Sequence, residues 1–165
     1  MESFTWLLAV TLLANVALSS GASDFLGSVR TQAANGHSMI GIWGANIAES
    51  TLHPSYRFHS ATIQFEVTPS EVRITDRVIV SSGQAETHGT TIFQTDGKEH
   101  AFDGTPLGTG VVSVAQWLTP RTLETIIRKD GKEVTRVIYE VSADGMTLTA
   151  RRTGMLEQTI LFERR

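Results

Sequence analysis

The chain has 0 cysteines among its 165 residues, so disulfide frameworks and thiolate metal sites are excluded outright. It also lacks an excess of charge of one sign: 14 Lys and Arg stand against 17 Asp and Glu, net -3, with the basic residues scattered among acidic ones. A nucleic-acid footprint needs a basic stripe, and none is present. The 5 histidines, His37, His53, His59, His88 and His100, form neither His-x-His nor His-Glu-x-x-His. A metal centre would have to be assembled across strands, and neither a metal nor another cofactor is expected. What remains is ordinary globular usage, 41% hydrophobic and 19% charged, which suits one domain with one core.

The N-terminal run FTWLLAVTLLANVAL, from Phe4 to Leu18, is followed by the small residues SSGAS. It is short for a membrane-crossing helix of roughly 20 residues. An apolar core of this length ending in small residues has the form of a secretory signal, with cleavage after Ala22 or Ser23. Against that form, the segment before it holds Glu2, and no Lys or Arg precedes Arg30. Residues 1–23 are read as a signal segment and the protein as exported, periplasmic or extracellular. Retained, residues 4–18 would be an apolar helix packed on the domain or lying on a membrane surface. Residues 24–38 carry Phe25, Leu26 and Val29 at helix-like spacing and read as a short helical or loop lead-in.

From Met39 onward the period changes to two. SATIQFEV, residues 60–67, alternates Ala61, Ile63, Phe65 and Val67 against Thr62, Gln64 and Glu66, one face inward and one toward water. EVRITDRVIV repeats this, with Val72 and Ile74 on one side and Arg73, Thr75 and Arg77 on the other. GTTIFQT, VVSVAQWL, TLETIIRK, EVTRVIYEV, MTLTARR and EQTILFER follow the same pattern. Turn signals punctuate the runs at Thr68-Pro69-Ser70, Ser82-Gly83, Asp96-Gly97, Asp103-Gly104, Thr119-Pro120, Asp130-Gly131 and Asp144-Gly145. Asp-Gly suits the type I′ hairpin, which needs positive φ at both central residues. An open meander of this many strands would leave two long edges prone to aggregation. The pattern therefore predicts an all-β fold, an antiparallel up-and-down barrel of about 8–10 strands over residues 39–165.

The first strand carries a Gly-x-Trp, Gly41 and Trp43, then Asn46, Ala48 and Ser50, with Ser60-Ala61-Thr62 beyond. These residues resemble the lipocalin-like proteins of the calycin superfamily, and most of all a bacterial exported group whose first strand reads like GTWKLNxAKS. DGKEHAFDG, RTLETIIRKDGKEV and VSADGMTLTARRTG also look like that group's hairpins. The chain departs from the pattern at Gly44, where a basic residue usually follows the Trp. The resemblance implies that Trp43 closes one barrel end and that a basic side chain of the last strand covers its indole. Arg164 is the candidate, with Arg165 and Arg152 as alternates, and the attraction is worth about 0.5 to 2 kcal/mol. Barrels of the nitrobindin kind hold haem through a histidine late in the chain, and no histidine follows His100 here.

Phe65, Phe93, Trp117, Tyr139 and Phe162 lie on separate strands and are the candidate wall of one cavity, the usual setting of a small-molecule site. Glu66 and Glu124 fall on the wet face by alternation. Arg136 and Glu140 share parity with Val134 and Ile138. Facing inward, Arg136 would be a buried group fit to hold an anionic head; if Val137, Tyr139 and Val141 face inward instead, Arg136 lies in water. The function expected is binding of a small hydrophobic ligand, a fatty acid or isoprenoid-like molecule, within the barrel. The alternative is a cofactor-free cyclase or isomerase that holds a flexible apolar substrate in a reactive fold. A barrel filled by its own side chains would act through its surface.

Overall fold

The alternating runs become strands, and every strand pairs with its sequence neighbours except the fourth and fifth, which do not pair with each other and are the two edges of the sheet. The structure is a computed structural model that describes residues 37–55, 58–80, 86–102, 105 and 107–165. The expectations for the signal segment 1–23 and for 24–36 of the lead-in lie outside the described residues, as do the Ser82-Gly83 and Asp103-Gly104 turns. The strands are β1 (Gly41–Thr51), β2 (Phe58–Val67), β3 (Glu71–Val80), β4 (Glu86–Gln94), β5 (His100–Ala101), β6 (Val111–Thr119), β7 (Thr122–Lys129), β8 (Lys132–Val141), β9 (Thr147–Gly154) and β10 (Gln158–Arg164). All pairings are antiparallel, in the order β4-β3-β2-β1-β10-β9-β8-β7-β6-β5. First and last strands meet, Trp43 opposite Arg164 and Ala45 opposite Phe162, so the sheet curls nearly shut. A seam remains between β4 and β5, across which the rings of Phe93 and Phe102 stack at 5.9 Å.

Local chemistry accounts for the joints. Asp130 and Gly131 both have positive φ, 50° and 77°, the turn that their dipeptide favours, and Lys129 pairs with Lys132 across it. The motif residues Asn46 and Ser50 staple an irregularity where the β1–β10 register shifts. The Ser50 hydroxyl donates to the Asn46 carbonyl at 2.6 Å and accepts from the Leu161 amide at 3.0 Å, while the Asn46 side-chain amide donates to Glu163 at 2.8 Å.

Alternation then sorts the faces. Phe65, Ile74, Phe93, Leu123, Leu148 and Phe162 are fully buried on inward positions, and burial of such a side chain contributes about 1.5 to 3 kcal/mol. The largest groups gather at the end formed by the start of β1, where Trp43 has 0% exposure and donates from Nε1 to the Met39 carbonyl at 3.0 Å. The Arg164 guanidinium lies 4.3 Å from the Trp43 ring centroid. Its Nε donates to the Gly145 carbonyl at 2.8 Å and Nη1 to that of Ile40 at 3.0 Å, and Nη2 donates to Ser38. One side chain thus ties the last strand to the residues before β1 and to the β8–β9 turn.

Candidate functional site

The inward face of β8 is Thr135, Val137, Tyr139 and Val141, all buried. This settles the parity left open by the sequence and corrects the cavity-lining assignment of Arg136, which lies on the outer face. There it donates to Glu124 and, through Nε and Nη2, to Glu133 at 3.1 and 2.8 Å. These hydrogen bonds hold the Glu133 carboxyl below its usual range and raise the guanidinium further. Glu124 is also unlike the solvated carboxylate that alternation suggests. It sits on the outer face with its side chain only 8% exposed, covered by Arg136 and by the Gln116 amide, which donates to it at 2.8 Å. Glu66 is half-buried on the outer face beside Arg73 at 3.6 Å.

Phe65, Phe93, Tyr139 and Phe162 are inside the barrel. Phe65 of β2 meets Tyr139 of β8 edge to face, ring centroids 5.2 Å apart, so one aromatic contact spans the lumen and forms a floor toward the Trp43 end. Trp117 is half-buried near that end, its ring 4.6 Å from that of His37. Toward the other end the inward positions mix small residues, Ala45, Ala61, Gly89, Ser113, Ala115 and Ala150, with the buried Ile63, Val78, Ile127, Val137 and Ile160.

Polar groups also face inward here, Asp76, Thr135, Arg152 and Gln158 among them. Asp76 of β3 is 4% exposed and pairs with Ile63 and Gly89 on its two sides. Burial raises the Tyr139 phenol above its ordinary range, the negative charge of Asp76 raises it further, and the positive charge of Arg152 opposes. Asp76 and Arg152 therefore share one electrostatic neighbourhood with the phenol. Arg152, opposite Val137 and Gln158 on β9, is oriented by the Thr135 hydroxyl, which accepts from its Nε at 3.1 Å and donates to the Thr153 carbonyl at 3.1 Å. Gln158, 5% exposed, has a buried Oε1 that meets no hydrogen-bond donor among the described residues.

Sequence reading named Tyr139 but passed over Asp76 and Gln158, and treated Arg152 only as an alternate cover for the indole. Parity held the signal: Asp76 continues Val72 and Ile74, and Arg152 continues Leu148 and Ala150. Among the described residues no group of three His, Asp or Glu side chains converges as metal ligands.

No protein-family model matches the chain, and no curated protein matches it in sequence. Solved structures do match its shape. The fluorescent protein UnaG superposes with a TM-score of 0.56 at 18% identity, covering 78% of this chain and 97% of that one. A Schistosoma mansoni fatty acid binding protein in complex with arachidonic acid gives 0.56 at 16%, over 79% and 98%. The fatty acid-binding protein of Drosophila melanogaster brain tissue gives 0.51 at 14%, over 76% and 98%. The fold is therefore the calycin-like barrel of the fatty acid-binding proteins.

Proposed function

We propose that this chain binds a small, mainly apolar molecule in its barrel, with a fatty or isoprenoid-like chain above the Phe65–Tyr139 floor and a polar head at Asp76, Tyr139 and Arg152. The observation that carries this is the placing of Asp76, Tyr139 and Arg152 on the inward face of a mostly apolar barrel, with Ala61, Ala115 and Ala150 among the inward residues. Apolar walls would supply affinity at about 25 cal/mol per Å² buried, and the polar groups orientation. Neighbours of the same fold that bind fatty acids support the reading.

The narrower likeness to exported bacterial lipocalin-like proteins belongs to this proposal and rests on Gly41, Trp43, Asn46, Ala48 and Ser50 with the Phe4–Leu18 run. A second reading, cyclase or isomerase chemistry, is favoured by one observation: a carboxylate and a phenol of raised pKa act on each other inside the barrel. Native mass spectrometry of the full-length protein and of one beginning at Asp24, followed by denaturation, tests the first reading. A stoichiometric apolar passenger supports it. A barrel that emerges empty and takes up no fluorescent lipid overturns it, and conversion of an added passenger would select the second.

A further inference from the structure

We infer that a passenger of this barrel lies tail first, its apolar end toward Trp43 and its head at Arg152 and Gln158, and that the head donates a hydrogen bond as well as accepting one, as a hydroxyl or an amide does. The inference rests on the carrier reading above and deepens it.

Strand register gives the direction. Away from the Trp43 end, the inward residues run Phe162, Ile160 and Gln158 along β10, and Leu148, Ala150 and Arg152 along β9. On β8 they run Val141, Tyr139, Val137 and Thr135, and on β4 Phe93, Thr91, Gly89 and Thr87. Each of these walls begins with a large apolar side chain and reaches polar ones farther along. A passenger aligned with that gradient keeps its tail among apolar neighbours and its head among groups that can bond to it.

Gln158 supplies the second observation. It is 5% exposed, and its buried Oε1 meets no hydrogen-bond donor among the described residues. Directly across the strand pair stands Arg152, on the same face. Its position is fixed by geometry: Nε donates to the Thr135 hydroxyl at 3.1 Å, and Thr135, 4% exposed, donates on to the Thr153 carbonyl at 3.1 Å. That bond uses one of the five N–H groups a guanidinium carries. A buried acceptor left unpaired is costly, so Gln158 is placed for a partner from outside the chain. A hydroxyl or an amide can donate to Gln158 while accepting from Arg152, whereas an ether can only accept.

Direction is tested on the full-length protein carrying Trp6→Phe, in which Trp43 and Trp117 report from one end of the barrel. Dodecanol brominated at its terminal carbon should quench their emission at saturation, and dodecanol brominated beside the hydroxyl should leave it nearly unchanged; the reverse pattern would overturn the inference. Donation is tested by displacing Nile red from the wild type, where dodecanol should bind at least about tenfold more tightly than dodecyl methyl ether. Gln158→Met keeps the length of the side chain and should bring the two ligands within about threefold of each other, with an unliganded unfolding midpoint equal to wild type or higher. A lowered midpoint with the preference for alcohol intact would make Gln158 a packing residue and overturn its role. Equal binding of alcohol and ether to the wild type would overturn the inference while leaving the carrier reading intact. Failure of dodecanol and of Nile red to bind would remove both. Should Gln158→Met unfold, the wild-type ranking and the quenching pattern decide.

Discussion

A Cβ built on Gly41 would lie 3.0 Å from Nη1 of Arg164, the nitrogen that donates to the Ile40 carbonyl. The φ of Gly41, 132°, is one that L side chains rarely adopt, so glycine answers two demands at once. Gly41→Ala should cost about 1 to 3 kcal/mol through backbone strain, with further loss from displacing the guanidinium. Arg164→Leu removes the charge over Trp43 and leaves partly buried carbonyls without their donor, for a loss on the order of 2 kcal/mol. Denaturant unfolding measures both, and midpoints equal to wild type would show that this end of the barrel is not held by the Arg164 clamp.

Tyr139 makes the fold sensitive to alkali. Its folded-state pKa is raised by burial, then by Asp76, so above about pH 10 the unfolded chain loses a proton that the folded one keeps. The unfolded state then binds fewer protons, and stability falls as pH rises through that range; below it the contribution is fully present. Tyr139→Phe keeps the edge-to-face contact with Phe65 and should flatten this decline. Thermal melts across the alkaline range would show the difference, and identical slopes would mean that another group titrates.

Arg136 and Glu124 should matter to stability and not to binding. Arg136→Ala leaves the Glu124 carboxylate buried with only the Gln116 amide, a loss of about 1 to 2 kcal/mol given the partial exposure of the arginine. The depressed pKa of Glu133 adds acid sensitivity, because its contribution is present above the ordinary carboxylate range and fades as pH falls. Ligand affinity should be unchanged in this variant. A drop of tenfold or more would put Arg136 in contact with the lumen, contrary to its outward position.

These contrasts show what one chain can and cannot reveal. Strand periodicity and the hairpins at Asp130-Gly131 and Asp144-Gly145 were legible because alternation and Asp-Gly turns are local, whereas Asp96-Gly97 joins β4 to β5, which do not pair. The parity of β8 was not legible: KEVTRVIYEV has apolar residues on both faces, and the choice depends on cross-strand partners, Glu124 and Ile126 on one side and Leu123 and Thr125 on the other. Asp76 was hidden differently. It stands between Thr75 and Arg77, so the triplet looks like surface, although its parity is that of Val72 and Ile74. Polar residues placed for function break the very pattern used to find the inside.

Whether the middle of the barrel has room is decided by filling it. Ala150 lies inward between Tyr139 on β8 and Ile160 on β10, next to the proposed head-group position. In a lumen open to a ligand, Ala150→Leu adds a side chain where the passenger would lie. Dodecanol binding should then weaken about tenfold or more while the unfolding midpoint stays within roughly 0.5 kcal/mol of wild type. In a barrel already filled by its own side chains, the same change overpacks the core and costs about 1 to 3 kcal/mol. Affinity and stability thus move in opposite patterns under the two arrangements, and one variant measured by both titration and denaturation separates a carrier from a solid barrel.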